Sequence, residues 1–180
     1  MNISEHIKSI INEIEGDDER LYDTPKRVEA AYDEFFDGYA KRPEDVLNVV
    51  YQSEMDDLIV LKNIPFESHC EHHMVPIIGH VCVGYVPNGQ IIGASKMARI
   101  VDIFAHRLQL QERFTMEIAT TLYNSLGCKG VGVYVEGEHF CISRRGVKKQ
   151  GVKFVTRYFT GCLKNDLQLR QEFLQDCYNA

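Results

Sequence analysis

The chain is 180 residues long, 44% hydrophobic and 26% charged, with a net charge of −6 and six cysteines. This length and balance fit one compact globular domain with its own core and room for a helical appendage. They exclude a nucleic-acid binder that works through overall charge, and no apolar run approaches the roughly 20 residues of a membrane span.

The opening residues carry no basic stretch followed by an apolar one, so the expected location is the cytoplasm, with reduced cysteines. Over 3–14, Ile3, Ile7, Ile10, Ile11 and Ile14 recur at helical spacing, and the acidic 15–19 run with Gly16 ends the helix. A second helix is predicted to open at Thr24-Pro25, with Thr24 as its cap and Val28, Ala31, Tyr32 and Phe35 or Phe36 as its apolar stripe, closed by Gly38. Together they form an N-terminal helical arm over 1–50, suited to helix packing or an oligomer contact.

From residue 51 the pattern changes. Residues 57–66 read as a strand, and 76–86 alternate as a second that ends on the turn signal Pro87-Asn88-Gly89. Two helical stretches follow over 95–126, stopped by Gly127. Val131, Val133 and Val135 alternate as a third strand. Phe140 and Ile142 alternate as a fourth, which leaves His139 and Cys141 together on its opposite face. Residues 152–160 read as extended, and a last helix is expected over 166–178. The layout is α+β: an antiparallel four-stranded sheet with helices packed on one face, forming a catalytic domain over 51–180.

The chemistry concentrates at Cys70-Glu71-His72-His73 and at His139-x-Cys141. A Cys-x-x-His pair lets one turn present two ligands to a single ion, and Cys141 offers a third from a distant segment. Three protein ligands with an open position are the catalytic arrangement of zinc, and four the structural one. Spacing leaves open whether His72 or His73 is the ligand. A spare imidazole beside such a site can pass protons near neutral pH, which makes His72 and His139 candidates. Cysteines are also common as buried core thiols, and that reading covers Cys82, Cys128, Cys162 and Cys177.

Two basic clusters suit a phosphate chain. Ser95-Lys96-Met97-Ala98-Arg99 opens a helix with Lys96 and Arg99 on one face, and Arg144-Arg145-Gly146-Val147-Lys148-Lys149 follows Cys141. Between them lies Gln111-Glu112. A carboxylate there can accept from the N1–H and 2-amino group of a guanine, or can pair with a surface cation such as Arg113.

These segments resemble the GTP cyclohydrolase I family: Cys-Glu-His-His at 70–73, Gly-Ala-Ser-Lys-Met-Ala-Arg at 93–99, Gln-Leu-Gln-Glu-Arg at 109–113, Glu-His-Phe-Cys-Ile-Ser-Arg-Arg-Gly-Val at 138–147, and Thr-Pro-Lys-Arg at 24–27. The resemblance implies the tunnelling fold and zinc held by Cys70, His73 and Cys141. It implies proton transfer by His72 and His139, Ser95 at the ribose, and Gln111 with Glu112 at the guanine. It implies triphosphate contacts from Lys96, Arg99 and Arg145, with Arg27 added from a neighbouring subunit. The implied reaction opens the imidazole ring of GTP and yields formate and 7,8-dihydroneopterin triphosphate, the first step toward tetrahydrofolate and other pterins. The implied assembly is a homodecamer with active sites between subunits, bound neither to nucleic acid nor to membrane. The chain departs from the family's pattern at Ala94, at Gly137 and over 152–163. Two other readings are a sibling of this fold with different chemistry and a non-catalytic zinc-stabilised module. A three-histidine pterin synthase or a zinc-free cysteine reductase leaves the Cys70, His73 and Cys141 set unused. The zinc-stabilised module leaves Gln111-Glu112 and the basic set unused.

Overall fold

The computed structural model describes residues 2–178. Met1, Asn179 and Ala180, at the outer ends of the expected arm and domain, lie outside the described residues. The described residues form two compact units, one up to Asp37 and the other from Gly38.

In the first unit, α1 (Ile3–Glu15) packs against α2 (Thr24–Phe35). A capping box starts α1: Asn2 Oδ1 accepts from the Glu5 amide and Glu5 Oε2 from the Asn2 amide, each at 2.9 Å. Gly16 ends it with φ +80°. Thr24 is the first residue inside α2 rather than its cap; Asp23 holds the cap position, and Pro25 follows at the start of the helix.

The second unit begins with the short α3 (Pro43–Val46) and β1 (Tyr51–Gln52), then builds a sheet from β2 (Ile59–Cys70) and β3 (Pro76–Val86). After β4 (Gln90–Ile91), which pairs with β1, come α4 (Ala94–Ala105), β5 (Leu108–Gln109), α5 (Gln111–Leu126) and β6 (Gly130–His139). The helical turn α6 (Phe140–Ser143), the strand β7 (Phe154–Phe159), and the helices α7 (Gly161–Asn165) and α8 (Leu167–Tyr178) complete the unit. The main sheet has five strands in the order β5-β2-β3-β6-β7, not four, and its β5–β2 pair is parallel. Two residues of β5 are too few to show a period in sequence.

Two further differences bear on the site. β6 runs unbroken to His139, and Phe140–Ser143 is helical, so the expected fourth strand at 140–142 does not exist. Over three residues an alternation of apolar side chains fits either geometry. The second difference is a bulge in β2: pairing with β3 shifts between Leu61 and Ile64, with Asn63 at φ +58°. The bulge changes the phase of the strand, so that Ile64, Phe66 and Cys70 face the same side as Ile77, Val81 and Val133. That side is covered by α4 and α5, as expected, with Phe114, Ile118 and Leu122 closing the core. The opposite face carries a smaller core in which α8 lays Phe173 and Cys177 over Cys82, Val86 and Tyr134. A Cβ on Gly84 would lie 2.7 Å from the Phe173 ring, so glycine there is what lets α8 approach.

Candidate metal centre and active site

Cys70 ends β2 and is buried. The chain then turns back at once: the amides of His73 and Met74 donate to the Cys70 carbonyl, at 3.3 and 2.8 Å, and Met74 takes φ +53°. The turn brings His73 Nδ1 to 4.0 Å from Cys70 Sγ. Cys141, on α6, arrives from the far side of β3, where Ile77 pairs with His139. Ligand atoms of Cys70, His73 and Cys141 all lie within 4.8 Å of one another.

The donor set fits a metal. Around zinc, with bonds of about 2.3 Å to sulfur and about 2.0 Å to nitrogen, tetrahedral ligand atoms stand roughly 3.5–3.8 Å apart, so the three would draw in by about 1 Å. Burial, and then the neighbouring Cys70, push the Cys141 thiol up. A bound cation would oppose that shift by attracting the thiolate form. Arg145 stands 3.0 Å from His73 Nε2. A guanidinium only donates, so Nε2 accepts in this arrangement; a cation taken at Nδ1 would move the ring proton to Nε2 and release Arg145.

The turn is braced from α5. Arg113 reaches Glu71 Oε2 at 2.7 Å and the Leu108 carbonyl at 2.8 Å, while its Nε donates to Gln109 Oε1 at 3.0 Å. Gln109 in turn donates to the Phe104 carbonyl and to Glu117, both at 2.9 Å. Arg113 therefore pairs with Glu71 and not with Glu112. Gln109 and Arg113 thus position the turn, a part that the 109–113 run alone does not reveal, because the Arg113–Glu71 pair joins residues 42 apart.

His139 and Gln111 meet on the helix-covered face. His139 Nε2 lies 2.9 Å from Gln111 Oε1, and burial holds the imidazole below its ordinary pKa, with the Glu112 charge opposing that effect. Glu112 itself is exposed at the start of α5, and His72 is exposed on the turn, 3.9 Å from Glu71. Cys70, His73, Cys141, Arg145, His139, Gln111 and Glu112 are thus gathered at one end of the sheet.

Ser95, Lys96 and Arg99, in the same unit, are not part of this group. Ser95 and Lys96 open α4 beyond the end of β3 where Val86 pairs with Gly130, the opposite end from Ile77 and His139. Nine helical steps at 1.5 Å each put Lys96 about 14 Å from Ala105 at the end of α4. Lys96 donates to the Val46 carbonyl, and Arg99 lines a 460 Å³ cleft with Lys41, Arg42 and Asp45. Arg27 is exposed on α2, 3.3 Å from Asp23.

A profile described as GTP cyclohydrolase I matches residues 3–178. The GTP cyclohydrolase 1 proteins of Brucella canis and Brucella suis are each 47% identical over 160 residues, spanning 88% of this chain and 75% of theirs. Among solved structures, the archaeosine synthase QueF-Like in its apo form superposes with a TM-score of 0.51 at 20% identity, over 60% of this chain and 97% of that one. At that identity the likeness concerns the fold alone, the α+β tunnelling fold.

Proposed function

The chain belongs to the GTP cyclohydrolase I family, and from that membership we infer that it opens the imidazole ring of GTP, releasing formate and leaving 7,8-dihydroneopterin triphosphate. The observation that carries the reading is the Cys70, His73 and Cys141 set at the same sheet end as His139, Glu112 and Arg145. Two thiols and an imidazole suit zinc, which when bound supplies the Lewis acidity that makes water nucleophilic near pH 7.

The chain's own residues supply the rest. Glu112, exposed at the start of α5, accepts from the N1–H and 2-amino group of the guanine. His139 and His72 exchange protons with the ring as its bonds break, since imidazole holds or yields a proton near neutral pH. Arg145 answers the triphosphate charge as a planar, bidentate donor. Lys96 and Arg99 add to it, and Ser95 meets the ribose. An ammonium has three hydrogens, so the bond to Val46 leaves Lys96 two to give.

The distance between the two ends of the sheet supports the homo-oligomeric part of the reading. One chain's Ser95, Lys96 and Arg99 serve the metal end of another, and Arg27 adds a further contact. The assembly is a decamer working in the cytoplasm. Arg27 falls in the 1–50 arm and every other site residue in the 51–180 catalytic domain. Among the described residues no helix is long and apolar enough to cross a membrane.

The direct test is incubation of metal-checked protein with GTP, with detection of formate and of a fluorescent pterin. Both products are expected. Metal-loaded protein that yields neither contradicts the reading.

A further inference from the structure

We propose that Gln111 is the positioning residue for His139, holding the ring by Nε2 so that Nδ1 is the atom that exchanges the proton with substrate. The proposal rests on the reading above that His139 transfers protons.

Gln111 opens α5 with its side chain turned into the core, 1% exposed. Its Nε2 has three acceptors: the Phe154 carbonyl at 2.9 Å, Thr156 Oγ1 at 3.1 Å and the Val135 carbonyl at 3.3 Å. Two of these are backbone carbonyls, which only accept, so the end of the amide that faces them is its NH₂. Oε1 is then obliged to face His139, 2.9 Å from Nε2. An amide oxygen only accepts, so in the neutral ring Nε2 carries the hydrogen and Nδ1 the lone pair.

The surroundings hold this arrangement. Thr115 Oγ1 lies 2.6 Å from the Gln111 carbonyl and 2.6 Å from Thr156 Oγ1, and Phe154 meets the His139 ring edge-on at 5.3 Å. Gly137 belongs to the same unit. A Cβ there would sit 2.6 Å from Gln111 Oε1, which accounts for a glycine beside the Glu138-His139 pair. The two amide hydrogens of Gln111 already face three protein acceptors, so the side chain has no donor left for a purine. Recognition of the base passes to Glu112, which the same helix start turns outward.

Gln111→Met keeps the length of the side chain and removes the acceptor. The expected result is a kcat lowered about 10- to 100-fold, with KM for GTP and zinc per chain within about twofold of the parent. In a His139→Ala background the same change should lower kcat no further, because Gln111 acts only through that ring. Nitrogen-15 NMR of histidine-labelled protein should show His139 protonated at Nε2 in the parent and a mixture of tautomers in Gln111→Met. Gly137→Ala, which displaces the amide without altering it, should move kcat and the tautomer in the same direction. A raised KM with unchanged kcat would overturn the proposal in favour of base recognition. So would a full additional loss in the His139→Ala background, or a parent ring protonated at Nδ1. If the parent does not turn over GTP, the enzymatic reading falls on its own, and the tautomer spectra still decide the Gln111 contact. Should Gln111→Met fail to fold, the parent tautomer and Gly137→Ala carry the decision.

Discussion

Cys70 and His73 share one tight turn, whereas Cys141 comes from the other side of β3 on a helical turn of its own. Removing Cys141 therefore leaves two of the three proposed ligands, close in sequence, and no third side to the cage. Loss of an outer partner of a ligand costs about 10- to 100-fold in metal affinity, and loss of a ligand should exceed that, so Cys141→Ala is expected to retain neither zinc nor turnover. His72 is exposed and outside the Cys70, His73 and Cys141 group, though its ring meets that of His73 edge-on at 6.2 Å, so His72→Ala should keep its zinc while losing about 10²- to 10⁴-fold in turnover. Zinc analysis with formate assays on the two variants separates these outcomes; retained turnover in His72→Ala would remove it from proton transfer. Cys70 and Cys141 are legible as candidate ligands because Cys-x-x-His is a local pattern and His-x-Cys stands out beside it, but spacing leaves His72 and His73 equal, and the choice of His73 comes from the resemblance. The tie between Gln111 and His139 was not. It joins residues 28 apart in sequence and depends on which way a buried amide points.

At the scale of elements, the smaller core is where the C-terminal helix is held. Phe173 is fully buried against the glycines at 84 and 132. Phe173→Ala should cost about 3–5 kcal/mol, read as a lowered denaturation midpoint, because the void lies between a helix and a paired sheet that collapse poorly. The same face predicts a pH effect. Burial, and then the adjacent Glu136 carboxylate, push the Tyr134 phenol from its ordinary 10 to about 12. Between those values the unfolded chain gives up a proton that the folded chain keeps, so stability present below pH 10 is lost as pH rises through the folded value. Denaturation midpoints measured across this window should fall, and less steeply in Tyr134→Phe; an unchanged slope would assign the effect to other groups. The helices and the β3 turn followed from periodicity and turn chemistry. The β2 bulge did not, since it breaks the alternation that sequence reading follows, yet it decides that Cys70 faces the helices. The helical turn at 140–143 is too short for periodicity to tell it from the strand expected at 140–142.

In the unit that begins at Gly38, the proposed site residues separate into two groups toward opposite ends of one sheet. The proposed ring of identical subunits would join the two ends through a repeated head-to-tail contact. This makes a prediction for mixed assemblies. Cys141→Ala and Lys96→Ala chains, each inactive alone, should regain about a quarter of the parental activity when refolded together in equal amounts, because a quarter of the shared sites then draw both intact residues. No recovery on mixing would place the whole site within one chain. The family motifs point to these residues in sequence, but their division between the two ends becomes visible only with the sheet register.

The central claim is that Cys70, His73 and Cys141 hold the zinc on which ring opening of GTP depends. It is tested most directly by stripping the protein with a chelator, restoring zinc in steps, and measuring zinc per chain against formate released from GTP. Formate production should be absent from the stripped protein and rise in proportion to zinc up to about one ion per chain. Formate released at full rate by metal-free protein, or none released at full zinc loading, would contradict the account.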